Sequence, residues 1–280
     1  MKRKISDIFF HLATAFCAFF ATIILCYIVG FLVSNGFSAL TAQHGLSERL
    51  ALTPERLWQM IVSTLILVGL TLSFVLPIAI SAAIYLYEYA TDRPFAQLVR
   101  FCVQTLASIP SIIYGLFGML IFVRLLGLGV SLLSGALTLT LMLMPLMMTQ
   151  TENALRQIPN SYREASASLG ATPFETMVKT ILPQALPGIF VGVFLTMGRI
   201  LSESAALLFT IGGFVRMPVN PQTGWISVFE RGTTLTIRAL IEFKEYGNLE
   251  GAAAIGIITV GVVIGLNLLS KGVVWIFTKD

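Results

Sequence analysis

Long apolar runs separated by short polar intervals dominate this chain. Six runs are long enough to cross a lipid bilayer as helices, approximately residues 8–33, 60–87, 101–123, 129–149, 185–211 and 251–277. A transmembrane helix needs about 20 predominantly apolar residues, whereas an unpaired strand cannot satisfy its backbone in lipid. The pattern therefore predicts an all-α membrane protein with six transmembrane helices, a single domain over residues 1–280 with no linker and no separate soluble unit. One polar interval, about 160–184, has a pattern of its own. Ser161 and Glu164 have capping-box spacing, as do Thr172 and Glu175, and Pro173 takes a favoured first helical position. Gly170 falls between them, where a helix C-terminus needs a residue tolerant of left-handed geometry. This reads as a helix, a glycine turn and a second helix outside the lipid, a rigid knob suited to docking a soluble partner. Glu164 can cap its helix, meet a basic group on the partner, or do both. The small residues Ala165 to Ser168 let a partner's groove approach.

Composition agrees. Hydrophobic residues make up 56% of the chain and charged residues 11%, well below the roughly 25% of a soluble domain. With the N-terminus inside, ten Lys and Arg residues fall on the inner side, seven on the outer side and Arg199 within a span. Four of the outer seven lie in one long loop, which weighs less in setting orientation. Both termini and the knob are then cytoplasmic. The net charge of +4 is accounted for by these anchors, so nothing calls for a nucleic-acid partner. Met1-Lys-Arg-Lys ahead of an apolar run resembles a signal peptide, but the run is too long and no small-residue cleavage site follows, so a retained first helix is expected. Cys17, Cys26 and Cys102 lie inside predicted spans, read as buried thiols that pack as small hydrophobes. His11 and His44 have no metal-ligand spacing to another Cys, Asp or His. No Gly-x-x-x-x-Gly-Lys-Ser/Thr loop is present, so any ATP chemistry belongs to another chain.

Thr53-Pro54-Glu55 reads as a helix start. In the loop from about 212 to 250, Gly212-Gly213, Pro218, Asn220-Pro221 and Gly224 mark turns. Its second half mixes Leu235, Ile237, Leu240 and Ile241 with charges, which suits a helix lying on the membrane surface or one contacting an external solute-binding protein. Pro77, Pro110 and Pro145 interrupt spans. Each either kinks its helix or exposes backbone along a polar route; the hydroxyls of Ser108, Ser111 and Tyr114 favour attention to the second. The sharpest chemical feature is Arg199, close to the middle of the fifth span. A buried Arg costs about 2.5–3.5 kcal/mol even on insertion-based scales, so it requires a partner or a wet cavity. Glu203 at i+4 shares its helix face, with Ser202 and Ser204 nearby. The pair reads either as an ion pair gluing the helix to a neighbour or as a transient site for an anion, which a planar guanidinium fork suits.

The knob also resembles a family motif. Glu164-Ala-Ser-Ala-Ser-Leu-Gly170 with Leu182-Pro183 is similar to the coupling motif of bacterial ABC-transporter permeases. That motif runs Glu-Ala-Ala, three residues, Gly, nine residues, Ile, one residue, Leu-Pro; here Ser166 and Thr180 are the departures. Ile80-Ser-Ala-Ala-Ile-Tyr-Leu-Tyr-Glu-Tyr89, Ile109-Pro-Ser-Ile-Ile-Tyr-Gly-Leu-Phe117 and Gly198-Arg-Ile-Leu-Ser-Glu-Ser-Ala-Ala-Leu-Leu-Phe-Thr210 resemble the A-type permease subunits of bacterial phosphate importers. Ser202, Ser204 and Ala206 depart from that family's Gly, Thr and Pro. The resemblance is strongest over residues 60–277. It implies a type I ABC importer permease fold in the bacterial inner membrane and a non-catalytic subunit importing inorganic phosphate. The partners it implies are a similar C-type permease, an ATP-binding cassette ATPase dimer carrying ATP and Mg, a periplasmic phosphate-binding protein and membrane lipid. It assigns Glu164, Ala165 and Gly170 to ATPase coupling, and Arg199 and Glu203 to the substrate route. This chain itself is expected to bind no cofactor. A permease for molybdate or sulfate, or a secondary anion carrier or channel, are the alternatives.

Overall fold

The computed structural model describes residues 2–41, 53–90, 94–219 and 223–277. Among them, helix is the regular structure throughout, apart from one antiparallel bridge between Val219 and Ile226. His44, Arg49, Arg93, Asn220-Pro221 and Lys279 lie outside the described residues. The first span is a single helix, α1 (Lys2–Thr41). The second, α2 (Pro54–Ile84), continues into a π-helical turn at Tyr85–Tyr89. The Thr53 hydroxyl starts it by accepting from the Arg56 amide, with Pro54 at the first helical position. The fourth span is α5 (Leu132–Arg156), capped by Ser131, whose hydroxyl accepts from the Ser134 amide at 3.2 Å. The sixth is α11 (Leu249–Phe277).

Two expected spans are broken. The third consists of α3 (Pro94–Ala107) and α4 (Ser111–Gly118), the latter running on into a π-helical turn at Met119–Leu125; the two halves meet at 100°. Pro110 therefore breaks its helix outright, while Pro77 and Pro145 stay inside continuous helices. The fifth begins as α8 (Leu182–Ser202), stops at an extended Glu203 and resumes as a short α9 (Ala205–Thr210). Among the described residues, counted by length and composition, five helices are able to cross a membrane, and six spans result if the bent pair is one.

The core is built on α2, α5 and α8. Leu67, Val75 and Ala79 of α2 are sealed with Leu139, Leu143 and Met147 of α5 and Ile189 and Ile200 of α8. Gly188 and Gly192, four residues apart on α8, let its backbone approach α5. A Cβ at either position would sit 2.7 Å from the Cβ of Ala154 or of Gln150. Such small-residue seams are how membrane helices gain close packing where lipid removes the hydrophobic drive. Helix α1 stands outside this core and packs on α11, with Gly36 against the Ala253 backbone and Leu32 against Gly256.

The helix expected in the second half of the long loop is α10 (Leu235–Lys244), and its apolar face packs on the bundle. Leu235, Ile237 and Ile241 are buried, and Leu235 joins Met60 and Ile255 in a small second core between α2, α10 and α11. Its charges are accommodated locally: Glu242 is buried and pairs with Arg238, four residues earlier. The three cysteines, expected to be buried, are all exposed on the isolated chain. A spanning helix turns apolar side chains outward to lipid as readily as inward, so a thiol within a span need not be covered by protein.

Candidate functional site

The polar interval folds into the anticipated knob. Helix α6 (Asn160–Ser168) ends at Leu169, Gly170 follows at φ +82°, and α7 (Pro173–Thr176) runs through a π-helical turn at Met177–Ile181 into α8. The turn closes with two hydrogen bonds, Ala171 N–H to Ser166 O at 3.2 Å and Gly170 N–H to Ala167 O at 2.9 Å. These are the paired bonds of a Schellman cap, which needs the left-handed residue that Gly170 supplies. Thr172 and Glu175 form the reciprocal capping box. The other expected box is absent: α6 starts two residues earlier than that box requires, at Asn160 after Pro159, so Ser161 lies inside the helix. Glu164 and Ala165 are exposed on α6, and Leu169 and Phe174 are 89% and 68% exposed on either side of the glycine. Two large apolar side chains are thus left uncovered on the knob.

A polar network that the sequence did not announce anchors this knob. Arg163, on α6, pairs through Nε with Glu88 Oε1 at 3.1 Å, at the end of α2. Arg100 of α3 reaches Glu152 of α5 at 3.4 Å and donates to the Leu86 carbonyl at 2.9 Å. Arg156 reaches the other oxygen of Glu152 at 3.5 Å. The Tyr87 ring lies beneath both Arg156 and Arg163, 5.8 and 5.7 Å from the guanidinium carbons. Only their position near the ends of apolar runs hinted that these charges would converge.

Arg199 and Glu203 part company. The helix ends between them, and Glu203 turns inward, 6% exposed, to accept from the Ala206 amide at 3.2 Å. No ion pair joins the two among the described residues, which corrects the i, i+4 expectation: that spacing brings side chains together only while the helix continues. Arg199 lies in the last turn of α8, at the negative end of the helix dipole, which favours a cation there. Its side chain is exposed and lines a cavity of about 460 Å³ together with Ser111, Tyr114, Thr149 and the apolar faces of α3 and α5. Tyr114 is itself buried and donates to the Leu106 carbonyl at 2.8 Å, bracing the broken helix from below the bend. The remaining polar candidates stand apart from this cavity. The Ser108 hydroxyl donates to Thr105 O and the Ser202 hydroxyl to Arg199 O, each back into its own helix; Ser204 occupies the junction before α9.

Comparison with known proteins matches this architecture. Residues 76–279 match the family described as binding-protein-dependent transport system inner membrane component. The probable ABC transporter permease protein YqgI of Bacillus subtilis (strain 168) is 32% identical over 247 residues, covering 85% of this chain and 83% of the relative. The phosphate transport system permease protein PstA of Haemophilus influenzae is 35% identical over 252 residues, 88% and 86% of the two chains. In three dimensions the chain superposes on a bacterial ABC transporter involved in the import of the acidic polysaccharide alginate. That match has a TM-score of 0.66 and 18% identity, covering 92% of this chain and 95% of the other, a likeness of fold.

Proposed function

The chain belongs to the family of binding-protein-dependent transport system inner-membrane components, and from that premise we propose that it forms half of the translocation path of an ATP-driven phosphate importer. It is a multi-pass inner-membrane permease. The observation that carries the substrate class is Arg199: a permanently charged guanidinium in a cavity within the bundle, with no carboxylate paired to it among the described residues. Such a group presents bidentate donors to a tetrahedral oxyanion. Ser111, on the same wall, adds a hydroxyl donor, while the Tyr114 O–H is engaged by the Leu106 carbonyl. Phosphate is favoured by relatives that carry that name at 30–36% identity. The departures at Ser202, Ser204 and Ala206 favour testing a second reading, another oxyanion such as molybdate or sulfate.

In this reading the knob faces the cytoplasm and docks a separate ATPase, which holds ATP and Mg. Glu164, Ala165 and Gly170 make that contact, with Leu169 and Phe174 supplying its apolar part. A second, similar permease completes the path, and an external phosphate-binding protein delivers the anion. Closure of the ATPase pair draws the knobs together and opens the path outward; resetting lets the anion leave inward. The chain contributes positioning and charge and catalyses no bond breakage.

Phosphate uptake by cells or proteoliposomes tests the reading. Arg199→Gln is expected to lower uptake by about tenfold to a hundredfold, the loss of one charge-assisted contact, while the assembled transporter still hydrolyses ATP. Arg199→Lys keeps the charge without the fork and recovers part of the rate. Normal uptake by Arg199→Gln removes the anion site, and failure to assemble reduces Arg199 to a packing residue. Competition by sulfate and molybdate separates the two substrate readings.

A further inference from the structure

We propose that the groove between α3 and α5 holds a second oxyanion station, displaced from the Arg199 cavity toward the knob, where the transported anion pauses before release. The proposal rests on the reading of Arg199 as an anion site and adds a second stop to it. Two cavities line this groove and share Thr149. The first holds Arg199; the second, of about 230 Å³, is walled by Arg100, Gln104, Glu152, Asn153 and Arg156 around Thr149. Thr149, Glu152, Asn153 and Arg156 follow one another on α5 at spacings that keep them on one helix face, so the two cavities lie in sequence along a single polar stripe.

The chemistry of the second cavity fits a transient anion. Arg100 and Arg156 converge on one carboxylate, Glu152, at 3.4 and 3.5 Å, leaving the group of three with one net positive charge. A guanidinium carries five N–H donors. Arg100 spends Nε on Glu152 and Nη2 on the Leu86 carbonyl, and Arg156 spends Nη2 on Glu152. Donors therefore remain for a tetrahedral oxyanion, with the amides of Gln104 and Asn153 in the same wall. Glu152 supplies the counter-charge that Arg199 lacks. An anion held at Arg199 by an unopposed cation moves on if a second, tempered site lies next to it, since conduction requires sites weak enough to leave. The cavity also borders Leu86, in the π-helical turn that contains Glu88, the partner of Arg163 on the knob. Movement of the knob is thereby linked to the wall of the station.

The test uses the assembled transporter in inside-out membrane vesicles, with Cys17, Cys26 and Cys102 replaced by Ala and a reporter thiol placed in the cavity wall as Val103→Cys. A membrane-impermeant thiol reagent is applied from the cytoplasmic side with and without inorganic phosphate. Phosphate should slow labelling, and should do so equally well when Arg199→Gln is added. Arg156→Gln should raise the half-protecting concentration by about tenfold, one charge-assisted contact, while Arg156→Lys restores most of it. The station is overturned if phosphate gives no protection, if Arg156→Gln leaves protection unchanged, or if Arg199→Gln alone abolishes it. A thiol that the reagent never reaches overturns it too, because an exit station must open to the cytoplasm. Normal uptake by Arg199→Gln, in contrast, strikes the Arg199 reading and is measured separately.

Discussion

Glu203 turns its carboxylate inward at the junction of α8 and α9, where Oε1 accepts from the Ala206 amide and the backbone carbonyl accepts from the Thr236 hydroxyl. It thus ties α9 to the helix above and to α10. Glu203→Gln keeps an acceptor oxygen at the same place, whereas Glu203→Ala leaves the Ala206 amide bare in a buried junction. A lost capping acceptor costs about 1 kcal/mol. Thermal unfolding of the purified transporter should show Glu203→Ala clearly destabilised and Glu203→Gln close to the parent; equal midpoints for the two variants would rule out the capping role. The sequence made Arg199 and Glu203 visible because charges are costly in an apolar run, and that argument holds whatever the local backbone does. It did not reveal their separation. The residues that end the helix, Ser202 to Ser204, are ordinary helix-compatible types, and the break depends on what the freed carboxylate finds across the bundle.

At the scale of elements, the knob was legible because its signals are local. A glycine at C′ and Thr-Pro-x-Glu after it act within one or two turns. The consequence is testable at Gly170, whose φ of +82° penalises any residue with a Cβ. Gly170→Val is expected to lose about 1–2 kcal/mol of local stability and to uncouple transport from ATP hydrolysis, while Gly170→Asn, which tolerates that geometry better, is milder. Recovery of the ATPase with the permease and phosphate moved per ATP hydrolysed are the measurements; parental values for Gly170→Val would exclude a required turn. The spans were legible for the same reason of simplicity, as apolar length suffices. Which proline breaks a helix was not. At Pro110 the chain closes a tight last turn, Ser108 and Ile109 N–H to Thr105 and Leu106 O, and Tyr114 comes back to the Leu106 carbonyl. That return bond from the next helix has no signature in the proline itself.

At the scale of the whole molecule, the determining contacts join residues far apart in sequence: Arg163 and Glu88 are 75 residues apart, Arg100 and Glu152 are 52. No periodicity predicts such pairs, since each charge alone reads as an anchor at a membrane edge. The Arg163–Glu88 pair, with both side chains largely covered, fastens α6 to the end of α2. Arg163→Glu should lower uptake while ATP hydrolysis continues, and the swap Arg163→Glu with Glu88→Arg should restore it, a coupling of about 1–3 kcal/mol for a contacting pair. A double variant no better than its singles would show that the pair transmits nothing.

The bent pair α3–α4 follows α5 along its length. Helix α3 starts beside the knob, where Arg100 meets Glu152 near the end of α5, and the chain after α4 arrives where Ser131 and Leu132 bond to Thr210 and Glu230 at the start of α5. The pair thus runs from one end of α5 to the other, with its 100° elbow in between. Gly36 beside Ala253 and Leu32 beside Gly256 set α1 and α11 antiparallel. The elbow sets the Tyr114–Leu106 bond and the Arg199 cavity partway along α5, between Met142 and Thr149, and away from both of its ends.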